Sequence, residues 1–543
     1  MSGRRGGAAL LAAAAVALGA PATASAAADA TAALARRGIN AAVRAGWLKP
    51  PDARRYRADV YLAQRGVRFL PPLRARVLAV QLAQVSAIWD SYTSPRALAL
   101  FSQLEENVAY LRTHAIPSSD TDVTGPDGVV YRWFPGKGLE FHPLANFAQL
   151  NNLASARNGD STRVLADALV ARAIPRRGTL LWEYAFPVGR GRPPWASGLA
   201  QAVAAQALSR AGTLLGDATL LGAAGRAYAA IPLGLDLELP SGPWIRLYGF
   251  DREVVLNAQL QAILSLAEYG QTAGDAGAES LAQRMTAAAR GLLWRFDTGD
   301  WSRYELGGGY AKRDYQVFVT TLLGKLARQT QDPFWQDAAL RFTNYTYEPP
   351  QVTQPDPPPE AIAYTQPLDD WLDTVEIPLT LSKRASVTLA VAGQVLTWSG
   401  LSRGDHTLVW KPGSDVQPGT YTVTVQATDF TGRRATFQLA PVSVVWDTTP
   451  PPLVAAVEGT TLSWQASDPG TPWLELKLDL SDPAGIVPPV QIDLGRQPTS
   501  GTVELTIPPG TWTAALEATN SAGLTTTLPL TLPAPVSPPA PVP

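Results

Sequence analysis

The chain has 543 residues, 46% of them hydrophobic and 17% charged, which suits three or four folded domains and excludes a wholly disordered polymer. It contains no cysteine and only three histidines, His114, His142 and His406, so disulfides, thiol catalysis and Cys-based zinc sites are excluded. A formal net charge of −1 is far from the basic footprint that nucleic acid demands, so no nucleic-acid partner is expected.

Residues 1–26 read as a secretory signal peptide. Arg4 and Arg5 precede an apolar run from Ala8 to about Gly19, and Ala24-Ser25-Ala26 supplies the small-residue cleavage pattern. Cleavage near Ala26 predicts a secreted or cell-envelope protein. No later apolar run reaches about 18 residues, so no membrane-spanning segment is expected.

Residues 27–348 carry apolar positions at helical spacing. Leu199, Val203 and Ala207 share one face, as do Leu256, Leu260, Ile263 and Ala267, and then Phe318, Leu322 and Leu326. Alanine is abundant, in keeping with helix propensity. Successive helices joined by aromatic, Gly/Pro-rich loops predict an all-α (α/α) toroid with its site on the loop face. Residues 349–370, rich in proline, read as a linker.

Beyond it the period changes to two. Tyr421, Val423, Val425 and Ala427 alternate with polar residues, as do Leu474, Leu476, Leu478 and Leu480. Gly419 opens GTYTVTVQATDFTG and Gly510 opens GTWTAALEATNSAG, two copies 91 residues apart. Two all-β immunoglobulin-like sandwiches are therefore predicted, over 371–447 and 448–532, followed by a Pro-rich tail, 533–543. The first, with LSKRASVTLAVAG and HTLVWKP, resembles the immunoglobulin-like domain of flagellar hook-cap proteins, which is also appended to exported bacterial enzymes.

Serine-hydrolase elbows, Walker loops, zincin helices and dinucleotide fingerprints are absent from the sequence. No motif calls for a metal or any other cofactor. Aromatic and polar residues instead gather in the inter-helix segments: Trp182-Glu183-Tyr184, Trp195, Trp244 to Tyr248, Asn257, and Phe296 through Tyr304 to Tyr315. Ring faces stack on the C–H face of a pyranose while polar groups take its hydroxyls, so this mixture suggests a sugar site. Glu183, between Trp182 and Tyr184, reads as a carboxylate whose pKa burial would raise.

PPWASGLAQAVAAQALSRA (from Pro193), VVLNAQLQAILSL (from Val254), FDTGDWSRYEL (from Phe296) and AKRDY (from Ala311) resemble, in order and spacing, the C-terminal domain of D-glucuronyl C5-epimerases. FPGKGLEFHPL and LWEYAFP look like segments of its bacterial members. The resemblance implies an exported epimerase that inverts C5 of hexuronate residues in a uronate-containing polysaccharide. It also implies three catalytic tyrosines: Tyr304 after the FDTG box, Tyr315 in DYQ, and Tyr248 upstream of the VLN box. Gln316 stands where the family usually has a histidine, and Leu247 where an acidic residue precedes the tyrosine. Trp195, Gln201 and Asn257 match its helix starts and would position substrate, with Glu183 and Tyr184 beside them. Arg246, Lys312 or Arg313 would hold the carboxylate. A homodimer is left open.

Removing the C5 proton, α to a carboxylate, develops charge that cations or acids must stabilise, and inversion needs a base and an acid on opposite ring faces. Two tyrosines fill those roles if positive charge lowers one pKa from about 10. Arg303, Lys312 and Arg313 are the nearby cations in sequence. The expected arrangement puts Tyr304 and Tyr315 on opposite faces, with Tyr248 as a third donor. Two other readings share these residues: a polysaccharide lyase, which expels the 4-linked sugar from the same carbanion, and a non-catalytic glycan-binding surface protein.

Overall fold

The structure is a computed structural model that describes residues 21–359, 361–365, 368 and 370–533. The signal-peptide expectation up to residue 20 and the tail from 534 lie outside those residues. Two compact units divide after Tyr347.

The first unit is helical: α1 (Pro21–Arg44), α2 (Pro50–Phe69), α3 (Pro72–Ala87) and α4 (Ser94–Thr113) lead into a small antiparallel sheet of β1 (Asp122–Thr124), β2 (Val130–Phe134) and β3 (Gly138–Phe141). Then come four helix pairs. They are α5 (Pro143–Ser155) with α6 (Gly159–Ala171), α7 (Gly198–Leu215) with α8 (Ala218–Tyr228), α9 (Leu256–Ala273) with α10 (Ala276–Phe296), and α11 (Arg313–Thr330) with α12 (Pro333–Tyr347). The first member of each pair packs on the first member of the next, α5 on α7, α7 on α9 and α9 on α11. The pairs thus form an arc with α6, α8, α10 and α12 outside. Alanine and glycine let the inner helices approach closely, and α7 is buried over most of its length.

All four pairs turn by one device. Arg157, Gly216, Gly274 and Gln331 adopt a left-handed conformation, which ends the first helix. Asn158, Asp217, Asp275 and Asp332 follow, and their side chains accept from backbone N–H groups of the second helix. Such turns, three residues long in the first pair and two in the others, leave the other end of the arc to the long connections. These are the three-stranded sheet before α5, the hairpin of β4 (Ile174–Arg176) and β5 (Thr179–Leu181) with its following loop, the hairpin of β6 (Asp236–Leu239) and β7 (Gly242–Ile245) with its following loop, and residues 297–312.

A second repeated device fixes those connections. Near the start of each inner helix one buried amide side chain clamps the preceding loop. Asn146 bonds both backbone groups of Val130 at 2.7 Å. Gln201 donates to Leu180 O (2.7 Å) and Ala227 O (3.2 Å) and accepts from Trp182 N (3.3 Å). Gln259 donates to Pro243 O and Met285 O, both at 3.0 Å, and accepts from Ile245 N. Gln316 accepts from Ser302 N (3.0 Å) and donates to Phe342 O and Thr346 Oγ1. Each clamp bonds buried backbone groups of the preceding connection, and the three glutamines also reach a carbonyl oxygen of an outer helix.

The second unit contains two β-sandwiches with separate cores. In the first, Val375–Leu381 pairs with Gly404–Trp410, and a second sheet centres on Ala385–Val391 and Gly419–Thr428. The second has a four-stranded sheet centred on Leu474–Ser481 and Thr513–Thr519 and a three-stranded sheet centred on Thr461–Ala466. The sequence repeat corresponds to one strand-and-turn unit in both: Asp429 N bonds Arg433 O, and Asn520 N bonds Leu524 O. The segment expected to be a linker differs from that expectation. Val352–Thr353 pairs with Thr380 and Leu381, and Ile362–Tyr364 runs parallel to 443–445. Both are short outer strands, positions where flanking proline is tolerated because only one edge needs backbone donors.

Candidate active site

The three tyrosines singled out from sequence come together at the loop end of the arc. Tyr248 follows β7, Tyr304 lies in the 297–312 connection, and Tyr315 sits in the first turn of α11. The Tyr304 and Tyr315 rings meet edge-on with centroids 4.8 Å apart. Their placement follows from local bonding: Leu306 N donates to Val254 O (2.9 Å) and Ala311 N to Ser302 O (2.8 Å), tying the connection to the start of α9. In the FDTG box, Asp297 accepts from Gly299 N and from Tyr345 OH, and Gly299 supplies a φ of 82° for the turn. Gly249 keeps the Tyr248 loop close to Ala196, whose carbonyl oxygen would lie 2.6 Å from an added Cβ.

From Tyr248 an aromatic wall continues. Tyr248 lies 5.5 Å from Trp195 and 5.6 Å from Phe250, ring to ring. Trp195 stacks on Tyr184 at 4.1 Å, and Phe186, His142 and Phe134 extend the series. Phe250, Phe186 and Phe134 had no specific sequence signal, since isolated phenylalanines most often fill cores.

The electrostatics differ from expectation. Burial raises Tyr248 to about 12, with Glu253, Tyr315 and Asp251 adding to the rise. Tyr304 is pushed up further by burial and then by Tyr315, Tyr248 and Glu253. Glu253 is itself raised by burial and by Asp251 and Glu305. The positive charge expected from Arg303 is directed elsewhere, since its guanidinium donates to Gly308 O at 2.6 Å. Both phenols are thus held protonated, by burial first and by the neighbouring phenols and carboxylates second. Lys312 and Arg313 remain exposed at the start of the helix that carries Tyr315.

The expected opposite-face pair is also corrected. A sugar between two groups needs two contact distances of about 3.5 Å each. Rings 4.8 Å apart leave no such space, so Tyr304 and Tyr315 form one side of the cleft.

Several expected substrate contacts have other duties. The amide of Gln201 belongs to the loop clamp described above. Gln316 is the equivalent clamp on α11, so its amide supports Tyr315's helix from behind. Arg246 donates to Asp236 O and Asp251 O, bracing the Tyr248 loop instead of facing a carboxylate. Glu183 is not a lone acid: Arg96 grips both its oxygens at 2.9 Å. Tyr184 is buried behind Trp195, accepts from Leu144 N, and is pushed up by that burial. Trp195 is 7% exposed and donates to Phe186 O. Asn257 is buried in the first turn of α9, next to Leu256, whose N–H donates to Tyr304 O. Trp182 and Trp244 are core residues. His142 caps α5 through Nδ1, and burial, then Arg132, lowers it to about 3, so it is neutral.

Among the described residues no group of three or more His, Asp or Glu is placed to hold a metal, and no helix is long and apolar enough to cross a membrane. A set of phenols thus lies beside an aromatic wall, carried on the connections between helical hairpins. Residues 178–344 match the family described as D-glucuronyl C5-epimerase C-terminus, which supports a carbohydrate-modifying kind of enzyme. No curated protein matches the sequence. Among solved structures, an endoglucanase from Komagataeibacter sucrofermentans is similar at 13% identity, over 38% of this chain and 72% of its own, with a TM-score of 0.29. Fibronectin(III)-like modules of Clostridium thermocellum CbhA align at 12% identity over 33% and 92% of the two chains, with a TM-score of 0.16. Scores this low carry no functional argument.

Proposed function

We propose that the helical unit is an exported uronosyl C5-epimerase of α/α-toroid type acting on a polysaccharide, and that Tyr248, Tyr304 and Tyr315 handle the C5 proton. The observation that carries this reading is the convergence of three phenols from three separate connections. They meet inside the segment that matches the epimerase family.

On this reading the Tyr304–Tyr315 pair serves one face of the sugar and Tyr248 the other. Tyr248 and Tyr304, held high, return a proton readily and lose one reluctantly. Tyr315 is the member that a pair of basic residues precedes in sequence. It is partly exposed, follows Lys312 and Arg313, and lies in a helix's first turn, where the macrodipole favours an anion. This assigns abstraction to Tyr315 from its side and proton return to Tyr248 from the other. Lys312 and Arg313 then face the developing charge on the uronate carboxylate.

The test is proton exchange in D2O on uronate polymers with the wild type, Tyr248→Phe and Tyr315→Phe. A positioned acid or base contributes roughly 10²- to 10⁴-fold, so each variant should lose at least about a hundredfold in C5 inversion. Full inversion by either variant would sink the assignment.

A further inference from the structure

Beside the tyrosine cleft, on the far side of Trp195 and Phe250, lies a groove of about 360 Å³. Its apolar lining includes Leu181, Leu233 and Leu235, of which Leu233 is exposed. Three arginines rim it. Arg176 and Arg177 come from the tight turn between β4 and β5, and Arg192 from the segment leading to Trp195. All three are exposed, and among the described residues none has an acidic partner within ion-pair distance. That sets them apart from Arg96, Arg132, Arg163, Arg172 and Arg210, which are paired with Asp or Glu.

The turn that presents them is specified by backbone geometry. Arg177 has a φ of 49° and Gly178 of 80°, the positive pair of a two-residue hairpin turn. The turn sets Arg176 and Arg177 at the tip of a short hairpin. The wall shared with the cleft is one ring thick: Trp195 and Phe250 line the groove and lie 5.5 and 5.6 Å from the Tyr248 ring. A group seated here therefore sits next to, not in, the tyrosine site.

We infer that this groove is a subsite for an anionic sugar of the same glycan chain, neighbouring the residue that reacts at the tyrosines. Guanidinium groups match carboxylate and sulfate oxygens two at a time, and the apolar lining and indole edge take the C–H face of the ring. The cationic rim contrasts with the acidic surroundings of Tyr248 and Tyr304, where Glu253, Asp251 and Glu305 gather. Charge at the rim thus recruits the polymer through the groove. The inference rests on the reading of the cleft as a uronate site, but binding to the groove requires no turnover.

The experiment measures binding of the full chain to polygalacturonate, dextran sulfate and dextran, for the wild type, a triple Arg176→Ser, Arg177→Ser, Arg192→Ser variant, and the corresponding triple Lys variant. Exposed charge pairs contribute up to roughly fivefold each, so the Ser variant should bind the polyanions about a hundredfold more weakly, with a flatter salt dependence. The Lys variant should recover only the part that charge alone supplies and stay weaker than the wild type, and dextran should bind to none. Preference for polygalacturonate or for dextran sulfate identifies the anion as carboxylate or sulfate. Unchanged affinity in the Ser variant, equal binding of dextran, or no wild-type binding to either polyanion would overturn the inference. Tyr248→Phe should keep the binding, so loss of inversion with intact affinity separates failure of the catalytic reading from failure of this one.

Discussion

Replacing Gln201 by leucine tests whether this residue serves the fold or the ligand. The substitution keeps the side-chain volume but removes one acceptor and two donor contacts, to Trp182 N, Leu180 O and Ala227 O. Gln201 is fully buried, so water cannot replace those partners. At about 1 kcal/mol net for each lost bond the cost is ~3 kcal/mol, and burying the leucine methyls returns about 1 kcal/mol, leaving a loss of about 2 kcal/mol. Urea unfolding followed by tryptophan fluorescence, to which buried Trp182 contributes, should show a lower midpoint with an unchanged slope. The folded fraction should bind and turn over glycan as the wild type does. An unchanged midpoint combined with a raised KM would place Gln201 in the sugar site and refute the clamp.

Arg96→Met should leave the Glu183 carboxylate without its partner in a half-buried position and cost about 2 kcal/mol, measured by the same unfolding assay, while KM stays constant. Glu253→Gln removes a negative charge that raises both Tyr248 and Tyr304, so both phenols ionise at lower pH. The alkaline limb of the inversion-rate profile should move toward neutrality, whereas collapse of the rate at every pH would make Glu253 itself the proton carrier. Asp59 is buried, its Oδ2 lacks a partner, and burial with Glu105 raises it from 3.8 to about 7. The folded state therefore keeps a proton that the unfolded chain loses, so stability falls as pH rises from about 4 to 7 and is flat above that. Asp59→Asn should abolish that slope and gain about 2 kcal/mol at pH 8, after allowing for water screening. An unaltered slope would show that another group sets it.

The change from helical to alternating period was legible because it reflects which faces are buried; every described helix precedes it, and the strands of six residues or more follow it. The sandwich repeat was legible because Asp429 and Asn520 occupy the same turn with nearly the same letters. The hairpin repeat was not. Its left-handed position is filled by Arg157, Gly216, Gly274 and Gln331, and its cap by Asn or Asp, so the chemistry recurs while the letters change. The tyrosines were found through resemblance, and their convergence required the fold. Gln201 and Gln316 illustrate the limit. An amide near a helix start suits a sugar hydroxyl as well as a backbone carbonyl, and only the direction of the side chain decides. Arg303 misled for the same reason, since a neighbour in sequence faced Gly308 and not the phenols. The rim arginines were passed over because a short Arg-Arg-Gly turn reads as an ordinary solvated hairpin until the groove beneath it is seen.

The central claim is proton exchange at C5 by a phenol cluster. Its most direct test is incubation of the purified chain with uronate-containing polysaccharides in D2O, followed by NMR at C5 and ultraviolet absorbance for unsaturated ends. The account predicts deuterium at C5 with inverted configuration, no new double bond, and loss of the signal in Tyr248→Phe. Unsaturated ends, or binding without exchange on any uronate polymer, would contradict it.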